Sequence, residues 1–269
     1  MPHSHAEGTT PDRSVPAVGL RCVLVTGGGT GIGLAVCEAI LAGGGQVVAV
    51  GRRPEPLQAI AARYPRQAHA LVADLAAPEQ REGLLARGRA LMGGLDGFVH
   101  SAGYVAHEAP GSISEAALRA QIEINLVAPL RLGEQALELL DDGGGMVFVA
   151  STLAVRPVLT SAVYSAAKAG LIEAMKVLAL AGAPRGVRAS AVLPGVVDTD
   201  MIRAPAPTRD GQTESPSEVE RRVERLRTLH PIGRLGAPSD VAACTTYLLG
   251  AHWISGASIT IDGGLLLRE

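Results

Sequence analysis

The chain is poor in aromatic residues and cysteines and has no long apolar run. Aromatic side chains make up only 3% of its 269 residues, so the core must be built mainly from aliphatic residues. The three cysteines, Cys22, Cys37 and Cys244, are scattered and form no C-x-x-C pair, which favours small buried thiols in a reducing compartment. No apolar run approaches the roughly 20 residues that a helix needs to span a membrane.

The chain also has no large excess of positive or negative charge. The net charge is −2 and the pI is about 6.4, so no basic surface is expected to attract nucleic acid or an anionic membrane. The polar, proline-rich N-terminus does not have the layout of a signal peptide and predicts a flexible tail over residues 1–19. We therefore expect a cytoplasmic protein that binds neither nucleic acid nor a membrane, and we expect no metal site.

Short apolar runs alternate with longer amphipathic stretches, and the runs are continuous, as in strands buried on both faces of a parallel sheet. Seven strands are predicted, at Arg21–Thr26, Gln46–Val50, Ala68–Val72, Gly97–His100, Gly145–Val149, Arg188–Leu193 and Ser258–Ile261. Helices are predicted between them, at Ile32–Ala42, Glu55–Arg63, Pro78–Met92, Glu115–Leu140, Ala162–Ala181 and Pro238–Leu249. We predict an α/β, doubly wound Rossmann fold, in which residues 20–269 form a single domain with a seven-stranded parallel sheet flanked by helices.

Residues 200–228, between the sixth and seventh predicted strands, depart from this alternation, and we name them the lid segment. Prolines and glycine at 204–207 and 210–211 break regular structure. Residues 217–220, S-E-V-E, resemble a capping box that opens a short helix with Val219, Val223 and Leu226 on one face. We predict a substrate lid here, and a passive surface excursion is the alternative.

A glycine-rich loop follows the first predicted strand. Residues 26–33 read T-G-G-G-T-G-I-G, and the apolar spacing of a helix follows at once. Glycines let the backbone turn tightly and approach a pyrophosphate, while the helix N-terminus offers free N–H groups and partial positive charge. Because strand, loop and helix come in the required order, the loop predicts a dinucleotide site.

Two arginines follow the second predicted strand, where an acidic residue would grip the ribose of NAD(H). Gly51 precedes Arg52 and Arg53, and guanidinium groups pair well with a 2′-phosphate. NADP(H) is therefore the favoured cofactor and NAD(H) the alternative. On the alternative interpretation, the two arginines are solvated loop residues.

Tyr164 and Lys168 lie four residues apart, and Ser151 lies 13 positions before the tyrosine. On a helix, residues four apart share one face, so the ammonium would lie beside the phenol. A nearby positive charge favours the phenolate, and we expect it to lower the pKa of Tyr164 below its usual value of about 10. Such a tyrosine suits proton transfer near neutral pH.

Together these motifs resemble the short-chain dehydrogenase/reductase family, in its single-domain branch of 3-oxoacyl-acyl-carrier-protein-reductase-like enzymes. The resemblance runs from about Cys22 to the C-terminus. The family's nucleotide motif, T-G-x-x-x-G-x-G, matches residues 26–33, and its acidic residue after the third strand matches Asp74. Residues 194–199, P-G-V-V-D-T, match the motif that cradles the nicotinamide end, and residues 261–264, I-D-G-G, match a recurring segment near the C-terminus.

The family's N-N-A-G motif after the fourth strand is H-S-A-G in this chain, at residues 100–103. Both asparagines are therefore replaced, by His100 and Ser101. The departure affects the hydrogen bonds that stabilise the strand in the family, and we expect Ser101 to substitute for them in part.

The resemblance implies hydride exchange between a nicotinamide and a carbonyl or secondary alcohol. Ser151 would hold the substrate oxygen, Tyr164 would be the general acid in reduction and the general base in oxidation, and Lys168 would support both Tyr164 and the ribose. Asn125 would interrupt a long helix and fix a water that relays protons. The implied catalytic residues are Asn125, Ser151, Tyr164 and Lys168. The implied cofactor-binding residues are Gly27, Thr30, Gly31, Ile32, Gly33, Arg52, Arg53, Asp74, Leu75, Ser101, Ala102, Gly103, Tyr164, Lys168, Pro194, Gly195, Val197 and Thr199.

Several reactions remain compatible with these residues. We predict an NADP(H)-dependent reductase of a ketone or 3-oxoacyl group; an NAD(H)-dependent alcohol or cyclic-diol dehydrogenase is the alternative, and a non-catalytic nucleotide sensor is a remote one. The partner is then a small carbonyl or alcohol, and the resemblance implies a homotetramer. Apolar residues near the site predict a mainly apolar pocket, with Arg156 and Arg203 as cations for an anionic group. Asp198 and Asp200 are interpreted as loop-capping residues, and His107 as an exposed loop residue.

Overall fold

A parallel sheet organises the chain, whose residues 22–206 and 212–268 are described by a computed structural model. The strands are β1 Cys22–Thr26, β2 Gln46–Gly51, β3 Ala68–Val72, β4 Gly97–His100, β5 Gly145–Val149, β6 Arg188–Pro194 and β7 Ser258–Ile261. All seven pair in parallel, in the order β3-β2-β1-β4-β5-β6-β7. The predicted seven-stranded α/β sheet is confirmed.

The central strands are buried along their whole length, whereas the edge strands are not. Strands β1, β5 and β6 are buried at every residue, as their continuous apolar runs predict. The edge strands β3 and β7 each have residues that are partly or fully exposed, because only one side of an edge strand has a neighbour. The continuous apolar runs therefore predicted the positions of the strands correctly, but they did not distinguish the central strands of the sheet from the edge strands.

Helices connect successive strands and cover both faces of the sheet. They are α1 Gly31–Ala42, α2 Pro54–Arg63, α3 Pro78–Arg81, α4 Leu84–Met92, α5 Glu115–Ile122, α6 Ala128–Leu139, α7 Ala162–Gly182, α8 Asp200–Arg203, α9 Pro216–Thr228 and α10 Pro238–Gly250. Single 3₁₀ turns lie at Thr152–Ala154, Ala183–Arg185 and Leu265–Leu267, and a π-helical turn lies at Glu123–Val127. The predicted tail, residue 21 of the first predicted strand and the predicted breaks at residues 207, 210 and 211 lie outside the described residues.

Two predicted helices are interrupted. The prediction Pro78–Met92 is divided between α3 and α4 because Gly83 adopts φ +61°, a left-handed conformation that side-chain-bearing residues seldom adopt. The prediction Glu115–Leu140 is divided by the π-helical turn, and Pro129 lies in the first turn of α6, where its missing N–H costs no helical hydrogen bond. In both places the apolar pattern alone had predicted one continuous helix, and the structure has two helices.

The lid segment contains two helices, α8 and α9. The cap of α9 is Ser215 rather than Ser217, since the backbone N–H of Ser215 donates to Glu218 Oε2 at 2.8 Å. The predicted capping box at residues 217–220 is therefore placed two residues too late. The predicted apolar face is confirmed, with Val219 and Val223 buried and Leu226 half-buried.

Two apolar layers enclose the sheet. On one face α1, α2 and α10 pack around residues such as Val25, Val36 and Val241. On the other, α4, α6 and α7 pack around Phe98 and Phe148, whose rings meet edge to face with centroids 5.9 Å apart. Among the described residues the cysteines form no disulfide; two are buried and the third is half-buried, as predicted.

Candidate active site

The carboxyl ends of β1 and β4 define a crevice. These two strands are neighbours in the sheet, although β2 and β3 lie on the far side of β1. The connections that leave β1 and β4 therefore run in opposite directions and open a gap between them, which is where doubly wound sheets bind their ligands. The glycine-rich loop follows β1, and residues 101–103 follow β4, so both motifs from the sequence lie at this crevice.

The glycine-rich loop is packed so closely that side chains would not fit. A Cβ on Gly33 would overlap the carbonyl oxygen of Gly27, and a Cβ on Gly27 would lie 2.9 Å from the backbone nitrogen of Ala102. A Cβ on Gly31 would lie 3.1 Å from Cγ2 of Thr199, which brings the loop after β6 against the loop after β1. The bare backbone and the N-terminus of α1 fit the diphosphate of a dinucleotide.

Two arginines lie beside this loop, as the sequence predicted. Arg53 donates from Nη2 to Oγ1 of Thr30 at 3.3 Å, and both Arg52 and Arg53 are exposed. Their guanidinium groups are therefore free to meet an anionic group on the ribose side of the loop.

The residues after β3 occupy two different environments. Asp74 accepts a hydrogen bond from the backbone N–H of Ala76 at 3.0 Å and so caps a turn. Leu75 is only 4% exposed and belongs to the core.

His100, rather than Ser101, supplies the side-chain hydrogen bond at the end of β4. Its Nδ1 lies 3.1 Å from Oγ1 of Thr26 at the end of β1. The same hydroxyl oxygen accepts from the backbone N–H groups of Ser101 and Ala102, at 3.2 and 3.3 Å. The expectation that the Ser101 side chain takes over is wrong, because Thr26 and His100 join the strands and Ser101 takes part through its backbone.

Because Thr26 Oγ1 accepts two N–H groups, its own hydrogen is available to His100 Nδ1. The other ring nitrogen, Nε2, is buried without a hydrogen-bond partner among the described residues. Complete burial, with the charge of Lys168 as a smaller cause, lowers the pKa of His100 to about 3. The imidazole is therefore neutral at physiological pH and acts as a structural group.

Asn125 lies in the π-helical turn with its side chain fully buried and fully bonded. Its Oδ1 accepts from the backbone N–H of Tyr104 at 3.2 Å, and its Nδ2 donates to the carbonyl oxygens of Tyr104 at 2.6 Å and Gln121 at 2.9 Å. The side chain thus holds the loop after β4 to the helix. The interruption of the long helix at this residue agrees with the sequence.

Gln121 was missed by sequence reasoning, although it lies four residues before Asn125 on the same helical face. It is 1% exposed, and its Oε1 accepts from the backbone N–H of Ala106 at 3.2 Å. The available signal was a second amide side chain one turn before Asn125.

Two of the candidate catalytic side chains lie close to Gly103. A Cβ at this glycine would lie 3.2 Å from Asn125 Oδ1 and 3.8 Å from Lys168 Nζ. The loop after β4, the π-helical turn and α7 therefore meet at one point. We call Asn125, Ser151, Tyr164 and Lys168 the catalytic rim.

Ser151, Tyr164 and Lys168 lie together at the ends of β5 and α7. Ser151 Oγ accepts from the backbone N–H of Leu153 at 3.1 Å, so it caps a turn, and its side chain lies close enough to the hydroxyl of Tyr164 to influence the pKa of that phenol. Lys168 Nζ lies 5.7 Å from the centroid of the Tyr164 ring and donates to the carbonyl oxygen of Val149 at 2.8 Å. The four-residue spacing does place amine and phenol on one helical face.

The direction of the tyrosine's pKa shift is opposite to the prediction. Burial raises the pKa of Tyr164 to about 12, and the hydrogen bond from Ser151 offsets this only in part. Burial also lowers the pKa of Lys168 to about 7. An amine that is itself poorly charged in this environment does not outweigh the desolvation of the phenolate, so Tyr164 is protonated at neutral pH.

Residues 194–199 run from the end of β6 along the crevice. Pro194 and Val197 are buried, a Cβ on Gly195 would lie 3.1 Å from Nε2 of His230, and Thr199 Oγ1 donates to the carbonyl oxygen of Val197 at 3.4 Å. This segment therefore lies between the glycine-rich loop and the lid segment.

Charged groups in the lid segment pair with one another and with Asp198, which directly precedes the segment. Arg203 forms two hydrogen bonds to Asp198, at 2.6 and 2.7 Å. Arg222 binds Glu214 and donates to the carbonyl oxygens of Ile202 at 2.7 Å and Ala204 at 2.9 Å, which ties α9 to α8. Asp198 is thus an ion-pair partner as well as a loop residue, a role that the sequence did not indicate.

Across residues 22–206 and 212–268, no helix is long and apolar enough to cross a membrane. The same residues contain no cluster of three or more histidine, cysteine, aspartate or glutamate side chains able to hold a metal ion. His107 is exposed, as the sequence predicted.

The family model of the short chain dehydrogenases matches residues 21–210. The chain therefore belongs to this family, and it is an NAD(P)-dependent oxidoreductase. Two relatives span nearly its whole length. The 2,5-dichloro-2,5-cyclohexadiene-1,4-diol dehydrogenase of Sphingobium indicum is 30% identical over 91% of this chain and 96% of its own. The 3-oxoacyl-[acyl-carrier-protein] reductase of Escherichia coli is 28% identical over 92% of this chain and 98% of its own.

A solved structure gives the same picture. A short chain dehydrogenase from Burkholderia cenocepacia, in complex with NADP, is 30% identical and superimposes with a TM-score of 0.80 over 91% of this chain and 98% of its own. The predicted family and fold are confirmed, and the relatives' names cover both diols and 3-oxoacyl groups.

Proposed function

We propose that the protein transfers a hydride between NADP(H) and a ketone, 3-oxoacyl group or secondary alcohol, with Tyr164 as the proton donor and acceptor. The observation that carries this proposal is the placement of the buried Lys168 amine 5.7 Å from the Tyr164 ring centroid, with Ser151 close enough to the Tyr164 hydroxyl to lower its pKa. When bound, the nicotinamide supplies or takes up the hydride at the substrate carbon.

The protonation of Tyr164 favours the reductive direction at neutral pH. With a pKa of about 12, the phenol holds its proton and serves as a general acid to a carbonyl oxygen. Ser151 accepts a backbone N–H at its oxygen, so its hydroxyl hydrogen can turn from the Tyr164 oxygen to the same carbonyl when the substrate is bound. Oxidation of an alcohol requires the phenolate, so we expect it to accelerate toward alkaline pH.

The dinucleotide would be held along the crevice from the glycine-rich loop to residues 194–199. Arg52 and Arg53 support NADP(H) over NAD(H), because both are exposed and Arg53 bonds to Thr30 in the loop itself. The residues proposed to contact the cofactor are Gly27, Thr30, Gly31, Ile32, Gly33, Arg52, Arg53, Asp74, Leu75, Ser101, Ala102, Gly103, Tyr164, Lys168, Pro194, Gly195, Val197 and Thr199.

The proposed substrate is mainly apolar. Val155 and Val158 are exposed on the loop after β5 and Met201 is exposed on α8, while the two arginines predicted to meet an anion are already engaged. Arg203 pairs with Asp198, and Arg156 donates to the carbonyl oxygen of Arg268. An anionic substrate would have to break these contacts, which supports a neutral carbonyl.

A second candidate is an NAD(H)-dependent dehydrogenase of an alcohol or a cyclic diol. It is supported by the relative from Sphingobium indicum, whose name specifies a cyclic diol. Binding of the nucleotide without turnover of any carbonyl would instead support the remote alternative of a sensor.

We further propose that residues 20–269 form one domain, with the lid segment closing over the substrate, and that four copies associate. Exposed apolar residues on α7 and α10 support association: Val177, Leu180 and Tyr247 are each more than 60% exposed. The molar mass from light scattering tests this, and a monomer at micromolar concentration would exclude it. The cytoplasmic location stays a prediction.

The nucleotide assignment is tested by Arg52→Ala, assayed at 340 nm with a panel of ketones, 3-oxoacyl thioesters and cyclic diols. Loss of a charge-assisted contact to the 2′-phosphate should raise KM for NADPH by about tenfold and leave KM for NADH nearly unchanged. The matched control is Arg66→Ala, on the exposed turn between α2 and β3. Equal effects on the two nucleotides would contradict the 2′-phosphate role.

A further inference from the structure

His230 joins the lid segment to the loop after β6. It is 3% exposed and lies two residues beyond the end of α9. Its Nδ1 lies 2.9 Å from the carbonyl oxygen of Leu226 in the last turn of α9. Its Nε2 accepts a hydrogen bond from the backbone N–H of Val196 at 3.1 Å. One buried ring therefore connects a lid helix to the crevice.

The two partners leave the imidazole a single protonation state. A carbonyl oxygen only accepts, so Nδ1 must carry a hydrogen, and a backbone N–H only donates, so Nε2 must be bare. The ring is then neutral with its proton on Nδ1. A side chain without one donor and one acceptor would leave Val196 N–H and Leu226 C=O without these bonds.

Close contacts surround His230 on one side. A Cβ on Gly195 would lie 3.1 Å from its Nε2, and one on Gly263 would lie 2.6 Å from Ile232 Cγ2. The backbone N–H of Ile232 donates to the carbonyl oxygen of Gly263 at 3.2 Å. The end of α9 therefore meets the ends of β6 and β7, beside a cavity of about 190 Å³ that His230 helps to line.

The geometry points to His230 as a positioning residue that sets the lid helix α9 against residues 194–199 and so aligns the substrate with the catalytic rim. This inference rests on the proposed function, because residues 194–199 are where the nicotinamide end would lie. His230 belongs to none of the motifs that match the family, and it acts through Val196 and Leu226.

Three variants test this role. His230→Leu fills the space but cannot bond to either partner, whereas His230→Gln supplies one acceptor and one donor. His252→Leu is the matched control, because that histidine is exposed. Hydrogen exchange of peptides from α9, followed by mass spectrometry, should accelerate at least tenfold in His230→Leu, return toward wild type in His230→Gln and stay unchanged in His252→Leu.

Steady-state kinetics provide the second measurement. We expect His230→Leu to raise KM for the best carbonyl substrate by about tenfold while the Kd of NADPH stays within about twofold, because the phosphate contacts lie at the other side of the crevice. His230→Gln should recover most of the loss. A purely structural role would instead lower the amount of active enzyme and leave KM unchanged.

The two measurements separate failure of the inference from failure of the proposed function. Wild-type exchange of α9 in His230→Leu overturns the inference, as does acceleration spread evenly over α9 and the sheet in both His230 variants. If the wild type turns over no carbonyl with either nucleotide, the proposed function fails and the exchange of α9 alone decides whether His230 positions the lid helix.

Discussion

The catalytic rim and the lid segment both contain many polar side chains, but these side chains differ in burial and in the partners that they bond to. In the rim, Lys168 is 2% exposed and Asn125 is fully buried, and each is bonded to backbone groups. At the lid segment, Arg203 pairs with Asp198, which directly precedes the segment, with 47% and 40% of their side chains exposed, while the pair of Arg222 and Glu214 is more shielded, at 22% and 13%. Removal from water makes the rim's polar groups sensitive to substitution and pH, whereas solvated pairs contribute little to stability.

The difference in burial indicates how rigid the catalytic rim and the lid segment each are. Buried polar groups tolerate one arrangement, because any other leaves a donor or acceptor unsatisfied. Ion pairs in water exchange partners at small cost. The rim is therefore suited to holding reacting groups in place, and the lid segment is suited to adjusting to a substrate.

The largest expected effect is on the rim. Tyr164→Phe removes the proton donor while keeping the ring, so kcat should fall by about 10³-fold, as for the loss of a general acid. The Kd of NADPH, measured by titration calorimetry, should stay within about twofold because the glycine-rich loop is unchanged. Wild-type turnover in Tyr164→Phe would show that Tyr164 is not the proton donor.

The second prediction concerns pH and stability. Burial lowers the pKa of Lys168 from 10.5 to about 7, so between these values the unfolded chain binds a proton that the folded protein does not. The contribution of Lys168 to the free energy of unfolding should therefore rise from pH 7 to about pH 9, by up to about 1.4 kcal/mol per pH unit. Above that pH the buried Cys37 thiol, whose pKa is raised, contributes the opposite slope. Urea unfolding should show this slope in the wild type and lose it in Lys168→Met.

The matched control is Lys176→Met, on the same helix, whose exposed amine pairs with Glu173. It should keep the wild-type slope, because its environment in the folded protein is aqueous. An identical slope in Lys168→Met and the wild type would mean that the amine is charged in the fold, and the contrast between rim and lid segment would weaken.

The smallest effect is expected in the lid segment. Arg203→Gln breaks the pairs with Asp198 and Glu220, yet Tm should change by no more than about 2 °C, because both pairs are exposed. Differential scanning fluorimetry at low and high salt checks this. A drop of about 10 °C that disappears in 1 M NaCl would show that the lid segment depends on its charges as much as the rim does.

Much of the fold could be predicted because its signals are local. Continuous valine-rich runs locate the strands, and the glycine-rich loop needs only its own backbone and the neighbouring helix to be recognised. The spacing of Tyr164 and Lys168 is likewise local, since helical geometry alone brings them to one face.

The rest depended on partners far away in the chain. Thr26 and His100 are 74 residues apart and His230 and Val196 are 34 apart, so no window of sequence shows that these groups meet. The helix break at Gly83 also escaped prediction, because the apolar periodicity continues on either side of it, whereas the interruption at Asn125 was implied by the family resemblance.

By itself the sequence determined the parallel sheet and the dinucleotide loop, because each follows from backbone geometry over a few residues, while the four rim residues were proposed from their match to the family's motifs. Tertiary structure alone decided the protonation of Tyr164 and Lys168, the role of His100 and the attachment of α9 through His230. The physical reason is desolvation: how far water is excluded from a polar group depends on every segment packed around it.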